Sequence, residues 1–183
     1  MIAIMSDAFK LLFDGAQSMQ LDPGQALFLT GDAETSVHLV LTGRVALLRR
    51  ATDGATLRLQ SAESGEVLVE ASVWSTHYHC DAQALAPATL AALPVARFRE
   101  RLTSDPALAE AWARHLAGAV QAARFQAGLL SLRGVADRLD AWLGEGHALP
   151  QPGRMQALAT DLGVTSEALY RELSRRRNKV NRI

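Results

Sequence analysis

The spacing of hydrophobic and polar residues changes near Pro94, which divides the chain into a strand-rich and a helical part. Upstream of this point, short β-rich runs alternate with turn signals rich in Gly and Asp. In Val45–Leu47 and Leu57–Leu59, apolar residues alternate with polar or small ones, as in strands with one buried face. The Asp53-Gly54 pair between these runs predicts a β-hairpin. We therefore expect an antiparallel sandwich or jelly roll, preceded by a short helix that ends at Gly15.

A long helix is predicted downstream of Pro94, from Pro106 to about Leu132, with Asp105 as its N-cap. About 27 residues at 1.5 Å each would extend about 40 Å, which is more than a small domain needs. Its apolar stripe, with residues three or four positions apart and an alanine-rich middle, favours a parallel dimer seam. The alternative is a helix that is simply buried against its own domain. The residues predicted for the seam are Leu108, Trp112, Leu116, Ala119, Ala123 and Leu130.

The segment 153–177 has the pattern of a helix-turn-helix, in which two short helices flank a tight turn. Gly163 interrupts two runs of helical period, and without a Cβ it can adopt the positive φ that ends a helix. Thr165 then stands where an N-cap belongs, and the second helix would begin at Ser166 and enter a DNA major groove. The leucines that define the two runs are Leu158, Leu162, Leu169 and Leu173.

Charge is distributed unevenly along a chain that holds 19 basic and 19 acidic residues. Residues 171–183 carry six basic side chains and one acidic one, a net charge of +5 that is suited to phosphate contacts. The alternative is a solvated basic tail on an ordinary helix pair. No apolar run approaches the roughly 20 residues that span a bilayer, and we see no signal peptide. Since Cys80 is the single cysteine, we expect the protein in the reducing cytoplasm, without a membrane partner.

A glycine-punctuated β-roll, a long helix and a helix-turn-helix, in this order, resemble the Crp/Fnr family of bacterial transcription regulators. The segments that carry the resemblance span nearly the whole chain. They are LFLTGD at 27–32, VHLVLTGRVALLRR at 37–50, the Gly65-Glu66 pair and LATDLGVTSEALYREL at 158–173.

The resemblance implies an α+β protein with three parts: a cyclic-nucleotide-binding-like β-roll sensor (1–104), a dimerisation helix (105–132) and a DNA-binding helix-turn-helix (133–183). It also implies a homodimer that binds double-stranded DNA at a pseudo-palindromic site and contacts RNA polymerase. The chain shows no Gly-rich phosphate loop, no paired-carboxylate motif and no nucleophile elbow, so we do not expect an enzyme.

In this family an E-x-x-x-R pattern on the recognition helix contacts base edges, and the resemblance assigns this pattern to Glu167 and Arg171. The two residues are four apart on one helical face, where Arg171 can bridge a guanine and Glu167 can accept from a cytosine amine. The alternative is a surface salt bridge between the two side chains. Ser166 is the third residue expected to face bases. The residues expected to contact phosphates are Thr165, Arg175, Arg176 and Arg177.

Two features depart from the family pattern, and the first concerns the wing. Members usually continue past the recognition helix into a two-stranded wing, whereas here only NKVNRI follows Arg177. We expect a reduced or absent wing, which means that a short basic tail replaces it or that the sequence is truncated. The alternative function is therefore a ligand-, haem- or redox-sensing β-roll protein whose shortened C-terminus does not bind DNA specifically.

The second departure lies in the sensing pocket. Cyclic-nucleotide-binding members place an Arg-Ser pair after the Gly-Glu turn, and the arginine neutralises the cyclic phosphate. This chain keeps the turn but has His79-Cys80-Asp81 at the corresponding place, which would leave the phosphate unpaired beside a carboxylate. The helix face that would bind the base is also apolar, so we predict no response to cyclic AMP. The candidate pocket residues are Gly65, Glu66, His79, Cys80, Asp81, Ala119 and Val120.

The run His77–Asp81 is the densest cluster of potential ligands in the chain. Imidazole and thiolate suit transition metals or haem iron, and the resemblance includes haem-based gas sensors, so one interpretation is haem or metal bound through His77, His79 or Cys80. Adjacent residues of a strand point to opposite faces, however. We favour a structural role in which Cys80 packs inward and His79 hydrogen-bonds at the surface. The other histidines, including His38, are scattered and indicate no joint site.

Overall fold

The computed structural model describes residues 7–68, 70–151 and 154–180. The chain forms two compact units, Met1–Leu116 and Ala117–Ile183, and the division between them falls within one long helix. Our predicted three-part division, after residues 104 and 132, assigns a role to each part and stays a prediction.

The first unit holds two four-stranded antiparallel sheets, ordered β1-β8-β3-β6 and β2-β7-β4-β5. Its helices pack on the outer face of the sheet that contains β3, so the predicted antiparallel β-roll is confirmed. The strands are β1 (Gln17–Leu21), β2 (Ala26–Phe28), β3 (Ser36–Thr42), β4 (Arg44–Arg50), β5 (Thr56–Glu63), β6 (Val67–Leu68), β7 (Asp81–Ala84) and β8 (Ala88–Pro94). The helices are α1 (Asp7–Leu12), α2 (Val95–Ser104) and the first part of α3 (Pro106–Ser131).

Alternation along β3 places its side chains in two different environments. Val40 faces the roll interior, where it packs with residues of both sheets, and His38 on the same side contacts the Phe28 ring. Val37 and Leu39 point the other way, into a core shared with the helices. Because successive strand residues point to opposite faces, one short strand covers the roll interior and anchors the helices.

The predicted hairpin joins β4 and β5, and at its turn Gly54 has a φ of +85° and donates its N–H to Ala51 O. The burial predicted for the two strands is wrong. Val45–Leu47 is buried without interruption, so this part of β4 has no exposed face. Leu57 and Leu59 are 51% and 47% exposed, because β5 is an edge strand and only its far end, at Ala62, reaches the roll interior.

The first turns of α3 are buried against the first unit. The predicted N-cap is confirmed, since the Asp105 carboxylate accepts from the N–H of Ala107 at 2.9 Å. Leu108 and Trp112 are 8% and 4% exposed, and both lie in the core that the helices share with the roll. These two residues were predicted for the dimer seam, and the prediction is wrong for them because their own domain already covers their side chains.

The second unit consists of helices only, as far as its described residues extend: the remainder of α3, then α4 (Val135–Gly144), α5 (Met155–Asp161) and α6 (Ser166–Val180). Its core is formed by side chains from all four helices, with Leu139, Leu162 and Leu169 fully buried. A search of the described helices finds none that is long and apolar enough to cross a membrane.

Candidate nucleic-acid interface

The turn between α5 and α6 has the geometry that its sequence predicts. Gly163 has a φ of +62°, and its N–H donates to Thr160 O while the N–H of Val164 donates to Ala159 O. A Cβ at position 163 would meet the methyl end of Leu130, an exposed side chain that would have to move, so the positive φ is the main reason for glycine here. Thr165 Oγ1 accepts from the N–H of Ala168 at 3.2 Å, which confirms the predicted N-cap of α6.

One face of α6 is fixed by packing. Leu169 is fully buried and Leu173 is partly buried, and both contact the core formed with α5 and α4. The four leucines that define the two helical runs, Leu158, Leu162, Leu169 and Leu173, belong to this core. Since these residues recur every three or four positions, the opposite face of α6 is left in solvent.

Glu167 and Arg171 lie on this solvent face, and both are exposed. Within the described parts of the chain, neither side chain has a hydrogen bond or an ion pair, so the intrahelical salt bridge that we considered is not formed. Ser166 is half-buried at the start of the helix, and Tyr170 is 50% exposed beside it. The first two turns of α6 therefore present one carboxylate and one guanidinium without partners.

The three arginines predicted to contact phosphates differ in their surroundings. Arg176 donates to Glu172 Oε1 at 2.7 Å, to Asp140 Oδ1 at 2.6 Å and to Ala136 O at 3.1 Å, so its guanidinium ties α6 to α4. Arg175 makes two hydrogen bonds to Glu172, but its side chain is 62% exposed. Hydrogen bonds from Arg175, and then from Arg176, lower the pKa of Glu172 to about 2.

Arg177 is exposed, and the one hydrogen bond recorded for it among the described residues is weak, at 3.3 Å to Ser174 Oγ. Arg177 can thus turn toward an anion at little cost. Arg175 is more exposed than Arg176 but would give up its two hydrogen bonds to Glu172, and Arg176 would give up those to both Glu172 and Asp140.

Arg138 on α4 is a residue that sequence reasoning missed. Its guanidinium donates to Leu132 O at 2.8 Å and Leu130 O at 3.1 Å, at the end of α3. It also donates to Leu162 O at 2.9 Å and Gly163 O at 3.0 Å, at the end of α5. One cation thus satisfies carbonyls at the C-terminal ends of two helices, where a positive charge is favoured. A signal was available, because position 138 follows Val135 by three residues and so shares the apolar face of α4.

The predicted effector residues of the first unit are mostly used by the fold. Gly65 donates its N–H to Val40 O, and the Glu66 carboxylate accepts from the N–H of Glu63 at 2.8 Å. Asp81 Oδ1 accepts from the N–H and the hydroxyl of Thr30 at 2.7 and 2.8 Å, and the backbone bond is the main cause of the lowered pKa of Asp81. The other two candidates, Ala119 and Val120, lie in the second unit, and their part in a pocket stays a prediction.

The His77–Asp81 segment alternates between surface and interior. His77 and His79 are exposed and hydrogen-bond to Thr76 Oγ1 and Ser75 Oγ at 2.9 and 3.2 Å. Cys80 is 7% exposed within the roll interior, and burial raises the pKa of its thiol. No group of three or more His, Cys, Asp or Glu side chains among the described residues is arranged to hold a metal ion. The arrangement matches the structural role that we favoured for this segment.

The comparisons with known proteins agree with this geometry. Residues 18–105 match the family model of the cyclic nucleotide-binding domain, from β1 to the end of α2. No curated protein sequence matches the chain. Among solved structures, FixK2 from Bradyrhizobium japonicum has a TM-score of 0.70 at 19% identity, covering 90% of this chain and 85% of that chain.

Two further structures extend the comparison. CLP from Xanthomonas campestris, described as a c-di-GMP responsive global regulator, has a TM-score of 0.68 at 20% identity and covers 95% of this chain and 92% of that chain. A putative cAMP-binding regulatory protein from Silicibacter pomeroyi has a TM-score of 0.60 at 26% identity, with 90% and 77% coverage.

Residues 18–105 therefore resemble the cyclic nucleotide-binding domain, over slightly less than half of the chain. FixK2 and CLP are transcription regulators of the Crp/Fnr family, and this chain has their fold, with a β-roll and a long helix. The resemblance that we drew from the sequence is confirmed.

Proposed function

We propose that this protein is a dimeric, cytoplasmic transcription regulator that reads a pseudo-palindromic DNA site with α6 and has no catalytic activity. Its structural neighbours are transcription regulators, which supports this class of function. The observation that carries the proposal is that Glu167 and Arg171, on the exposed face of a helix whose other face is anchored, have no partner among the described residues. A contact to RNA polymerase and the roles of the three predicted parts of the chain belong to the same proposal.

The chemistry of the two side chains suits base recognition. A guanidinium can donate two parallel hydrogen bonds to guanine O6 and N7, and a carboxylate can accept from a cytosine amine. Four residues apart, Arg171 and Glu167 lie one helical turn from each other, within reach of neighbouring base pairs. Ser166 stands at the N-terminus of the same helix. We assign phosphate contacts to Thr165, Arg175 and Arg177, which are exposed.

Arg176 takes a different role in this proposal from the one predicted. Its side chain is 29% exposed and bonded to Glu172 and Asp140, so a phosphate contact would require breaking these ion pairs. We assign Arg176 to positioning: it holds α6 against α4, and the helix presents Arg171 from a rigid support.

The dimer seam that we propose is the exposed stripe of α3. Its four exposed residues are spaced alternately three and four positions apart: Val120, Ala123, Ala127 and Leu130. Leu116 precedes Val120 by four residues and is half-buried. This is the heptad spacing of a two-stranded coiled coil, and the alanines would let two helices approach closely. Ala119, which we also predicted for the seam, is half-buried beside this stripe.

A lack of response to cyclic AMP is part of the proposal. Asp81 stands where family members that bind cyclic nucleotides carry an arginine–serine pair, and its lowered pKa keeps the carboxylate ionised at neutral pH. Its charge is partly balanced by Arg50, at 3.7 Å, whose side chain is 79% exposed. A cyclic phosphate beside Asp81 would add a second negative charge to the same wall.

The test is DNA retardation by the purified protein in the presence of heparin, which competes for non-specific phosphate contacts. We expect retardation of a genomic duplex pool to resist heparin, and cyclic AMP at millimolar concentration to change neither the retardation nor the heat of titration. Complete loss of retardation in heparin would favour the alternative, a sensor that does not bind DNA specifically. Saturable binding of cyclic AMP at micromolar concentration would refute the part of the proposal that rests on Asp81.

A further inference from the structure

A cavity of about 430 Å³ opens at one edge of the β-roll, between the two sheets. β1 and β2 are the edge strands at this side, whereas β6, which follows the Gly65-Glu66 turn, is an edge strand at the opposite side. The cavity is therefore separate from the predicted effector residues around that turn and Asp81. Its inner wall is formed by Met19, Leu27, Phe28, His38, Tyr78 and Ala92.

Among the described residues, His38 is the polar side chain of this wall for which no hydrogen bond is recorded. It is 6% exposed, and its Nδ1 atom is enclosed without a hydrogen bond. Within residues 7–68, 70–151 and 154–180, no hydrogen bond is recorded for Nε2 either. Most buried polar groups in folded proteins are hydrogen-bonded, so an unpaired buried imidazole at a cavity wall requires an explanation. A ligand in the cavity supplies one, because it can bond the imidazole without opening the roll.

The rest of the inner wall is aromatic and apolar. The rings of Phe28 and Tyr78 are stacked with centroids 3.7 Å apart, and the His38 ring lies 6.0 Å from Phe28. The Tyr78 hydroxyl already donates to Ser36 O at 3.0 Å. His38 is thus the polar group that remains available beside this aromatic pair, and a flat aromatic wall favours a planar ligand.

The charge of the cavity selects against anions. No lysine or arginine stands among the described residues that line it, and the rim carries the Asp32 carboxylate. Burial lowers the pKa of His38 to about 4, so the imidazole is neutral at physiological pH and offers no positive charge. A phosphate or carboxylate would enter this site without a counter-charge, at a high desolvation cost.

We propose that this cavity binds a small, uncharged aromatic molecule with one hydroxyl or N–H group, of the phenol or indole kind, hydrogen-bonded to His38. The site goes beyond the DNA-binding function proposed above and does not depend on it. A volume of about 430 Å³ lies within the range of small-molecule pockets, roughly 300–1,000 Å³.

The test compares phenol with toluene, which has the same shape but cannot hydrogen-bond, by NMR titration of the full chain. We expect saturable shifts with phenol at millimolar concentration and about three- to tenfold weaker binding of toluene, the factor that one net hydrogen bond contributes. Benzoate, a planar anion, should bind more weakly than toluene. Equal binding of phenol and toluene by the native protein would overturn the assignment of His38, and binding of benzoate as tight as that of phenol would overturn the selection for neutral ligands.

A pair of variants locates the hydrogen bond. His38→Phe should abolish the difference between phenol and toluene, whereas His79→Phe, which changes an exposed histidine outside the cavity, should preserve it. If His38→Phe does not fold, the comparison of ligands on the native protein still decides. Absence of any saturable shift with phenol and indole would refute the site.

Discussion

Replacing Arg138 by methionine removes the four hydrogen bonds that join α4 to the carbonyl ends of α3 and α5. The bonds to Leu130 O and Gly163 O are exposed, so water can replace the donor there. The bonds to Leu132 O and Leu162 O are partly buried, and each charged donor lost from such a carbonyl costs about 1.5 kcal/mol or more. We therefore expect the free energy of unfolding of the second unit to fall by about 3 kcal/mol.

Hydrogen exchange is the appropriate assay, because it reports the opening free energy of α5 and α6 separately from the β-roll. Arg133→Met is the matched control, since Arg133 is exposed and no hydrogen bond is recorded for it within the described chain. Exchange in α5 and α6 should accelerate by about two orders of magnitude in Arg138→Met, as 1.4 kcal/mol corresponds to a factor of ten. If the two variants differ by less than about 0.5 kcal/mol, the cluster around Arg138 does not hold the helix-turn-helix together.

Three further predictions concern the turn, the ion pairs and the seam. Gly163→Ala should destabilise the second unit by about 1–3 kcal/mol in thermal unfolding. Gly15→Ala, at a φ of +64° and without atoms within 4 Å, should cost less; equal losses would mean that contact plays no part. Because the folded pKa of Glu172 is lowered, this residue contributes stability above its unfolded pKa near 4.5, and the contribution is lost as pH falls toward about 2. Glu172→Gln should therefore be less stable at pH 7 and should lose this part of the pH dependence. Parallel curves of stability against pH for the two proteins would contradict the prediction. Ala123→Glu should shift the protein to monomer in sedimentation, whereas Ala122→Glu, beside the stripe, should leave it dimeric.

Local chemistry was predictable from the sequence where one residue and its near neighbours decide the structure. Asp105, Gly163 and Thr165 act through backbone groups within four residues, and each adopts the predicted role. The β4–β5 hairpin was predictable for the same reason, because the Asp53-Gly54 turn fixes it locally.

Periodicity along a helix or strand did not predict what its apolar face packs against. The stripe on α3 is apolar throughout, and the sequence does not reveal that Leu108 and Trp112 are covered by their own domain. Alternation in β5 likewise indicates a strand but not whether a second sheet covers Leu57 and Leu59. A pattern along one element gives the face that can be buried, and only the tertiary structure supplies what buries it.

Charged and polar side chains with distant partners were the hardest to assign. Arg176 finds Asp140 36 positions away, and Arg138 finds Gly163 25 positions away, so neither role has a local signature. His38 is similar, since its unpaired state depends on strands that are far apart in the sequence.

The most direct test of the central claim is binding selection from a random duplex pool, with the native protein and Arg171→Ala, at two salt concentrations. We predict that the native protein enriches a two-fold symmetric motif whose half-sites lie about one helical turn apart. Arg171→Ala should lose about 1–3 kcal/mol of binding free energy per half-site. It should also weaken the sequence preference at one base pair in each half-site, at mirrored positions. The control, Arg177→Ala, should weaken binding on all sequences and flatten its salt dependence without changing the motif. Enrichment of no symmetric motif by the native protein would contradict sequence-specific binding, and a motif that Arg171→Ala leaves intact would show that the base contacts lie elsewhere.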